Sequence, residues 1–168
     1  GSLEGYIPPV QTAPYEIRFG LTKEELKSLG IRYAIGAAHW RVDIPPTKGS
    51  DLDLQACLKE WHRQQLSLSC DERVTILGHP WWNANKLWYE DFSIIPRSMQ
   101  EELASALKEN GKYVECNRHF FTPCVASEKL SRQYAEFLRE MFEKGIPVTY
   151  GSDSHGDYCD EREFTEKY

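Results

Sequence analysis

Apolar residues along the chain switch repeatedly between helical spacing and short continuous runs, with the helix first each time. The first helix begins at the capping box Thr22-Lys-Glu-Glu25 and ends at Gly30, and Ile31 to Ala37 follows it as a strand. A second helix, from Asp51 to about Ser67, carries leucines and a tryptophan at helical spacing. The short buried strand Val74 to Leu77 comes next, so the first half of the chain contains two helix-to-strand steps.

The second half of the chain repeats this order twice. One helix runs from Ser98, where a Ser-x-x-Glu box opens it, to Asn110, and the strand Tyr113 to Asn117 follows. The last helix, Glu128 to Lys144, precedes the strand Ile146 to Tyr150, and a glycine ends each of these two helices. Four such steps predict an α/β fold with a parallel sheet or barrel, outer helices and right-handed crossovers.

The helices are expected to cover the outside of this sheet. Leu58 of the second helix and Phe137 of the fourth should point inward, because each lies on the apolar face of its helix. The segments Tyr6 to Tyr15 and Pro80 to Pro96 are rich in proline and aromatic residues. They are predicted to be long surface loops, which often shape a binding site at the rim of such a fold.

The composition is that of one globular domain. At 168 residues, with 40% hydrophobic and 27% charged residues, the chain supports a single core, predicted to span residues 3–168. Gly1 and Ser2 resemble the remnant of an expression tag. The net charge of −6 and the pI near 5.4 disfavour nucleic acid as a partner. No apolar run approaches the roughly 20 residues of a membrane span, and no leader opens the sequence, so we expect a cytoplasmic protein without a membrane partner.

The cysteines give no sign of a disulfide framework or of a cysteine-built zinc module. They are odd in number, widely scattered and without a C-x-x-C pair. All five are expected to be reduced thiols: Cys57, Cys70, Cys116, Cys124 and Cys159.

A histidine or an Asp-x-His pair directly follows three of the four main strands. His39 follows the first strand, His79 follows the second, and Asp153 and His155 follow the last. Because the carboxyl ends of parallel strands lie on one face, we expect these four side chains to cluster in a single pocket. Imidazole and carboxylate groups that converge in this way are common ligands of Zn, Mn or Fe.

Each of these residues also has a structural interpretation. A lone histidine at a strand end is often a hydrogen-bonded residue of the rim, and Ser, Asp and Gly are all turn formers. The i, i+2 spacing of Asp153 and His155 nevertheless puts both side chains on one face of an extended segment. His62, within the second helix, is expected to be a solvated surface residue without a functional role.

The sequences around these residues resemble motifs of one known family. Gly-Ala-Ala-His39-Trp, Leu-Gly-His79-Pro and Tyr-Gly-Ser-Asp153-Ser-His155 occur in the order of three motifs of the PHP (polymerase and histidinol phosphatase) superfamily. Tyr113-Val-Glu115-Cys-Asn117 is similar to the family's strand ending in Glu-x-Asn, whose asparagine helps to shape the site. The chain therefore resembles the C-terminal part of a PHP domain, which implies a distorted (β/α) barrel and a metal-dependent phosphoesterase.

The resemblance also implies roles for individual residues. Glu4, in Leu-Glu4-Gly-Tyr-Ile-Pro, matches a glutamate that bridges two metals, and with His39 and His79 it would hold one divalent cation. Asp153 would join a second cation and His155 a third, and both are implied to be catalytic. An exposed glutamate beside a tag remnant is the other interpretation of Glu4.

Asn117 and Arg118 are implied to bind the substrate near its phosphate. Complete family members hold up to three divalent cations, of Zn, Mn or Fe. Such cations would activate a water and offset the protein's own negative charge, so that an acidic protein could bind an anion.

One family motif has no counterpart in this chain. PHP proteins open with His-x-His on the first strand, and this sequence contains no His-x-His. Truncation, clipping or divergence would each explain this, and each leaves an incomplete barrel. An unpaired sheet edge would favour association with the missing N-terminal segment or with a second chain. With an incomplete cluster we expect fewer metals and little phosphatase activity.

The substrate is less constrained than the chemistry. A small phosphate monoester of the histidinol phosphate type is the first hypothesis. The aromatic segment Trp81 to Tyr89 could stack on a base or a sugar, which keeps nucleotide or oligonucleotide ends as an alternative, but a loop that packs its tryptophans under itself is the favoured interpretation. A PHP module of a DNA polymerase is the nucleic-acid alternative, and the acidic composition does not support it. A non-catalytic binding or assembly module with an incomplete metal cluster is a hypothesis from another class. A metal hydrolase acting on carbon–nitrogen bonds would share the barrel and the ligand types.

Overall fold

Five parallel strands form one sheet in the computed structural model of the chain, which describes residues 2–5, 21–38, 54–82, 89–122 and 125–152. The strands are β1 (Ser2–Gly5), β2 (Ile35–Ala38), β3 (Ile76–Gly78), β4 (Tyr113–Asn117) and β5 (Val148–Gly151). Their order in the sheet is their order in the sequence, and each neighbouring pair is parallel. The predicted α/β class is confirmed, and this sequential order is that of a barrel wall rather than of a doubly wound sheet.

Helices alternate with these strands along the described part of the chain. The α-helices are α1 (Lys23–Ser28), α2 (Leu54–Cys70), α3 (Arg97–Glu109) and α4 (Glu128–Glu143). Two short 3-10 helices are η1 (Phe92–Ile94), before α3, and η2 (Arg118–Phe121), directly after β4. None of the helices described has both the length and the apolar character needed to cross a membrane.

The first helix, α1, has the ends that its sequence signals predict. Thr22 Oγ1 accepts a hydrogen bond from the backbone N–H of Glu25 at 3.2 Å, and the Glu25 carboxylate accepts one from the backbone N–H of Thr22 at 2.7 Å. After the helix, Gly30 has a φ of +75°, a left-handed conformation that glycine adopts without strain. The capping box is therefore confirmed.

The predicted capping box at Ser98 is wrong, because α3 begins before it. The N-cap of α3 is Pro96, which has a φ of −53° and makes no side-chain cap. The Pro96 carbonyl accepts hydrogen bonds from the backbone N–H groups of Met99 and Gln100 at 3.0 and 3.2 Å, which places Ser98 within the first turn. The fixed φ of proline is already close to the helical value, so it favours an earlier start.

Three strands begin later than predicted. β3 omits Val74, because the Val74 N–H closes a turn onto the Asp71 carbonyl at 3.1 Å. The Val74 carbonyl accepts a hydrogen bond from Lys112 Nζ at 2.6 Å, so both of its backbone groups are engaged outside the sheet. β2 and β5 begin at Ile35 and Val148.

The hydrophobic core lies between the sheet and the helices α2, α3 and α4. Leu58 of α2 is fully buried and Phe137 of α4 is 2% exposed, so the predicted inward faces of these two helices are confirmed. Leu77 and Val114 contribute from the two central strands β3 and β4. Burial of each side chain of this size stabilises the fold by about 1.5–3 kcal/mol.

The segment Pro80 to Pro96 is not a surface loop where the structure describes it. Its buried side chains include Trp81, Phe92 and Ile95. The ring of Phe92 packs edge-on against Tyr134 of α4, with centroids 5.8 Å apart. The prediction is wrong here because proline and turn residues set an irregular backbone, while the apolar side chains of that backbone still fill the core. Residues 83–88, and the other predicted loop, Tyr6 to Tyr15, lie outside the described residues.

Asp91 connects η1 to α4. Its carboxylate accepts hydrogen bonds from the Ser93 N–H at 2.9 Å and from Gln133 Nε2 at 2.8 Å, and it forms an ion pair with Lys129. The bonds from Lys129, Ser93 and Gln133, in that order, hold the pKa of Asp91 well below its usual range. A lowered pKa stabilises the fold above the ordinary value of 3.8, and this contribution is lost as the pH falls below that value.

We therefore expect Asp91→Ala to lower the thermal midpoint at pH 7 by roughly 2–4 °C, and by less at pH 3. The control Asp91→Asn keeps an acceptor for the Ser93 N–H and removes the charge. It should therefore lose only the part of the stabilisation that depends on pH. Thermal unfolding at both pH values measures the effect. A difference between Asp91→Asn and the wild type that does not change with pH would contradict the assignment.

Candidate active site at the carboxyl end of the sheet

The carboxyl ends of the strands carry the predicted site residues that the structure describes. His79 directly follows β3, Asn117 is the last residue of β4, and Arg118 is the first residue of η2. Glu4 lies in β1, where it pairs in register with Ala37 of β2. In a parallel α/β fold this edge of the sheet is where reactive groups collect.

Three further predicted residues, His39, Asp153 and His155, lie outside the described residues. The strands that precede them are described, and β2 ends at Ala38 and β5 at Gly151. In the sequence, His39 is thus the first residue after β2, and Asp153 is the second residue after β5. The clustering of these three side chains with His79 stays a prediction.

A buried glutamate to which the sequence analysis gave no role lies at the centre of this edge. Glu115 of β4 is 5% exposed, and its Oε2 accepts a hydrogen bond from the backbone N–H of His79 at 2.6 Å. Asn117 Nδ2 donates to the same oxygen at 3.3 Å. Glu115 and Asn117 are two residues apart on a strand, so they share one face of the sheet. The Glu-x-Asn motif was the signal for this pair, because a carboxylate inside a buried strand requires hydrogen-bond partners.

The contacts of Asn117 continue to the rim of the site and return to His79. Asn117 Oδ1 accepts a hydrogen bond from the backbone N–H of His119 at 2.9 Å. The imidazole of His119 lies against the indole of Trp82, with ring centroids 5.4 Å apart. The backbone N–H of Trp82 donates to the carbonyl of His79 at 2.9 Å. We call these five residues, His79, Glu115, Asn117, His119 and Trp82, the contact circuit.

The backbone of the turn after β3 is strained. His79 has a φ of +26°, and Trp81, beyond Pro80, has a φ of +63°, both in the left-handed region that residues other than glycine rarely adopt. The N–H of Trp81 donates to Gln65 Oε1 at 3.1 Å, and its carbonyl accepts a hydrogen bond from the Tyr89 hydroxyl. Strain of this kind persists only where surrounding contacts enforce it, and it is frequent at functional sites.

The prediction that His62 is a solvated surface residue is wrong. The side chain is buried, and its imidazole stacks on the indole of Trp81 with centroids 5.8 Å apart and planes 11° from parallel. His62 Nε2 lies 2.9 Å from Glu102 Oε2. The charged neighbours of His62 in sequence indicated a solvent-facing position, but the turn after β3 folds onto α2 and covers it. His62 therefore supports the strained turn through Trp81.

Gly151, the last residue of β5, leaves room for the glutamate. A Cβ atom on Gly151 would lie 1.7 Å from Glu115 Oε1 and 2.6 Å from Glu115 Cδ, far inside contact distance. Gly151 pairs in register with Asn117, so the Glu115 carboxylate passes directly over the backbone of β5. Glycine is required here by close approach, since any side chain would occupy the place of the carboxylate.

Two ionisable groups beside Glu115, Tyr134 and Cys116, have raised pKa values. The Tyr134 hydroxyl donates to the Glu115 carbonyl at 3.1 Å, and burial raises the pKa of Tyr134 well above its usual value. Burial, together with the charge of Glu115, raises the pKa of Cys116 to about 11, so its thiol stays protonated. Cys116 and Cys70 are both free thiols, as predicted.

The donor groups at this edge are of the kind that bind transition metals. His79 contributes an imidazole and Glu115 a carboxylate, and zinc and manganese accept both. Within the described ranges, no group of three or more His, Cys, Asp and Glu side chains is placed to hold a metal ion. In the sequence, the other predicted ligands His39, Asp153 and His155 come after β2 and β5, and both strands end at this same edge of the sheet.

No family model matches the chain. A curated protein from Acetivibrio thermocellus, named "Probable phosphatase", is 42% identical over 55 residues, which is 33% of this chain and 22% of that protein. The two sequences are therefore similar over only part of either chain.

Two solved structures have a similar fold. The structure of HisK from Listeria monocytogenes, assigned as a histidinol phosphatase, has a TM-score of 0.62 and 16% identity, covering 87% of this chain and 62% of that chain. The histidinol phosphate phosphatase of Lactococcus lactis, solved with zinc, L-histidinol and phosphate, has a TM-score of 0.55 and 22% identity, covering 82% and 56%. The chain therefore spans less than two thirds of the length of either protein. The predicted PHP-type fold is confirmed, because the chain shares the fold of these two structures over most of its own length.

Proposed function

We propose that this chain is part of a metal-dependent phosphoesterase that hydrolyses a small phosphate monoester. The observation that carries the proposal is the contact circuit, which fixes His79 beside Glu115 at the carboxyl edge of a PHP-type sheet. The names of the similar proteins support it, since one is called a phosphatase and another was solved with histidinol and phosphate. A monoester of the histidinol phosphate type is the substrate that these likenesses favour.

The predicted ligands suit divalent cations, because imidazole and carboxylate groups bind zinc and manganese well. We assign Glu4, His39 and His79 to one cation, Asp153 to a second and His155 to a third. A cation held there would lower the pKa of a bound water and offset the negative charge of the phosphate. An acidic chain with a net charge of −6 needs such compensation to bind an anion.

Side chains of the contact circuit and its neighbours would position the metal ligand His79 and the phosphate of the substrate. Glu115 and Trp82 bond to the backbone of His79 on either side of its Cα, which fixes the backbone from which its imidazole extends. Asn117 is fully buried and both ends of its amide are engaged within the contact circuit, so it acts on the substrate through the residues it orients. We assign the half-buried Arg118 to the phosphate, because a guanidinium binds phosphate oxygens through paired hydrogen bonds.

Metal loading and turnover together test this function. The protein is stripped with a chelator, reloaded with zinc or manganese, and assayed on histidinol phosphate and p-nitrophenyl phosphate, with metal counted by elemental analysis. Because the cluster of this chain lacks the His-x-His ligands, we expect slow phosphate release, which falls to background on stripping and returns on reloading. Absence of turnover in fully loaded protein, or turnover that stripping leaves unchanged, would contradict the proposal.

A wider panel of substrates separates the phosphoesterase from the two other functions that the sequence left open. Amide substrates would identify a metal hydrolase that acts on carbon–nitrogen bonds, which the same fold and ligands can support. Binding of phosphate esters without turnover of any substrate would identify a non-catalytic binding module.

A further inference from the structure

Gln65 is a polar residue on the apolar face of α2. Leu58, Trp61, Gln65 and Leu68 follow one another at intervals of three, four and three residues, which is the spacing of a helix face that packs into a core. The other three side chains are apolar, and all four residues are 2% exposed or less. A polar residue that breaks the apolar pattern at a fully buried position is typical of a functional or strained site.

The hydrogen bonds of Gln65 do not explain its presence by stability. Its Oε1 accepts a hydrogen bond from the backbone N–H of Trp81 at 3.1 Å. Its Nε2 is buried and has no hydrogen-bond partner in the part of the chain that the structure describes. Leucine at this position would leave the Trp81 N–H unpaired, but it would also remove the unpaired Nε2 and bury more apolar surface. Because these effects offset one another, the fold would be about as stable with leucine.

The bond from Trp81 to Gln65 instead holds the strained turn that carries His79. Trp81 has a φ of +63° and His79 a φ of +26°, and only Pro80 lies between them. A left-handed residue other than glycine relaxes to negative φ unless contacts from outside the turn oppose it. Gln65 supplies such a contact from the middle of a 17-residue helix. Without it, the backbone of Trp81 could rotate, and a rotation two residues away would displace His79.

A metal ligand tolerates little displacement of this kind. Zinc binds an imidazole nitrogen at about 2.0–2.1 Å, and the ligands of a working site stay within about 0.5 Å of their places. Glu115 holds the N–H of His79 from β4, and Gln65 holds the N–H of Trp81 from α2. The turn is therefore fixed by the sheet at one end and by a helix at the other.

We propose that Gln65 is a positioning residue for the metal ligand His79, and that the affinity of the site for a divalent cation depends on the hydrogen bond between α2 and the turn. The inference rests on the proposed function, which assigns His79 to a cation. Gln65 acts through the backbone conformation of Trp81. Loss of a group that orients a metal ligand weakens metal binding by about 10- to 100-fold.

Zinc affinity and stability of three variants test this role. Gln65→Leu should lower zinc affinity, measured by competition with a chromophoric chelator, by about 10- to 100-fold, and should shift the urea midpoint of the metal-free protein by less than about 0.5 M. Gln65→Glu keeps an oxygen that accepts the Trp81 N–H, so it should recover most of the affinity. The control is Leu68→Val, on the same helix, which packs toward Gly36 of β2. It should lower the urea midpoint and leave zinc affinity unchanged.

A measurement without metal tests the conformational step. The Cα and Cβ chemical shifts of Trp81 distinguish a left-handed residue from one with negative φ. We expect Gln65→Leu to move them to values typical of negative φ, and Gln65→Glu and Leu68→Val to leave them unchanged. Unchanged shifts in Gln65→Leu, or zinc affinity equal to that of the wild type, overturn the proposal. If the wild type binds zinc and hydrolyses no ester, the proposed function fails, and weaker zinc binding by Gln65→Leu still supports the role of Gln65.

Discussion

Replacing Gly151 with alanine should displace the Glu115 carboxylate and lower kcat/KM by about a hundred-fold, because a shift of about 1 Å in a site residue has effects of this size. The added Cβ would lie 1.7 Å from Glu115 Oε1, so the two atoms cannot both stay in place. Rotation of the carboxylate would release the backbone N–H of His79, which Glu115 now accepts at 2.6 Å. A buried polar group without its partner costs about 1–3 kcal/mol, so the free energy of unfolding should fall by a similar amount.

A double-mutant cycle tests this explanation. Glu115→Ala removes the carboxylate and should itself reduce both activity and stability. Because the clash is then absent, adding Gly151→Ala to Glu115→Ala should change the free energy of unfolding by less than about 0.5 kcal/mol. Urea unfolding of the four proteins measures the coupling. Additive effects of the two substitutions would show that Gly151 is required for a reason unrelated to Glu115.

His79→Ala should abolish turnover while leaving the fold largely intact. Alanine retains the backbone N–H that donates to Glu115 and the carbonyl that accepts from Trp82, so the substitution removes only the imidazole from the contact circuit. Under the proposed function, loss of a metal ligand should weaken metal affinity by at least about a hundred-fold, since even groups that merely support a ligand contribute tenfold or more. Turnover should fall to background with it.

The control for this experiment is His79→Asn. Asparagine tolerates a positive φ and so preserves the backbone conformation, which separates loss of the imidazole from loss of the turn. Elemental analysis, phosphate release and urea unfolding are measured on all three proteins. Metal content that is the same in His79→Ala as in the wild type would remove His79 from the metal site.

Local sequence signals were sufficient for those elements whose ends are set by neighbouring residues. The capping box at Thr22 and the strand Tyr113 to Asn117 were predicted with their observed ends. The start of β3 was not predicted correctly, because the Val74 carbonyl accepts a hydrogen bond from a lysine 38 residues later in the chain. A contact at that separation leaves no trace in the local pattern of apolar residues.

The same distinction holds for the candidate site. The position of His79 at the end of a strand follows from the alternation of helix and strand, and it could be read from the sequence. The Glu-x-Asn motif indicated that Glu115 needs hydrogen-bond partners, but the sequence could not identify them, because one partner is a backbone N–H 36 residues away. His62 is a similar case, since its burial depends on a turn that folds back onto α2 and stacks Trp81 on its ring. Prediction failed where tertiary contacts decide the environment of a polar side chain.

The left-handed backbone at His79 lowers the stability of the fold at a position where the proposed activity requires the imidazole. A residue held in such a conformation costs about 1–3 kcal/mol, and glycine would avoid most of this cost. We therefore expect histidine to be kept at this position, where φ is +26°, in relatives whose reaction uses its imidazole. In lineages that have lost the reaction, drift should replace it by glycine, and the descendants should be more stable than their active ancestors. The residue at this position in a newly sequenced relative would then indicate whether that lineage still carries out the chemistry.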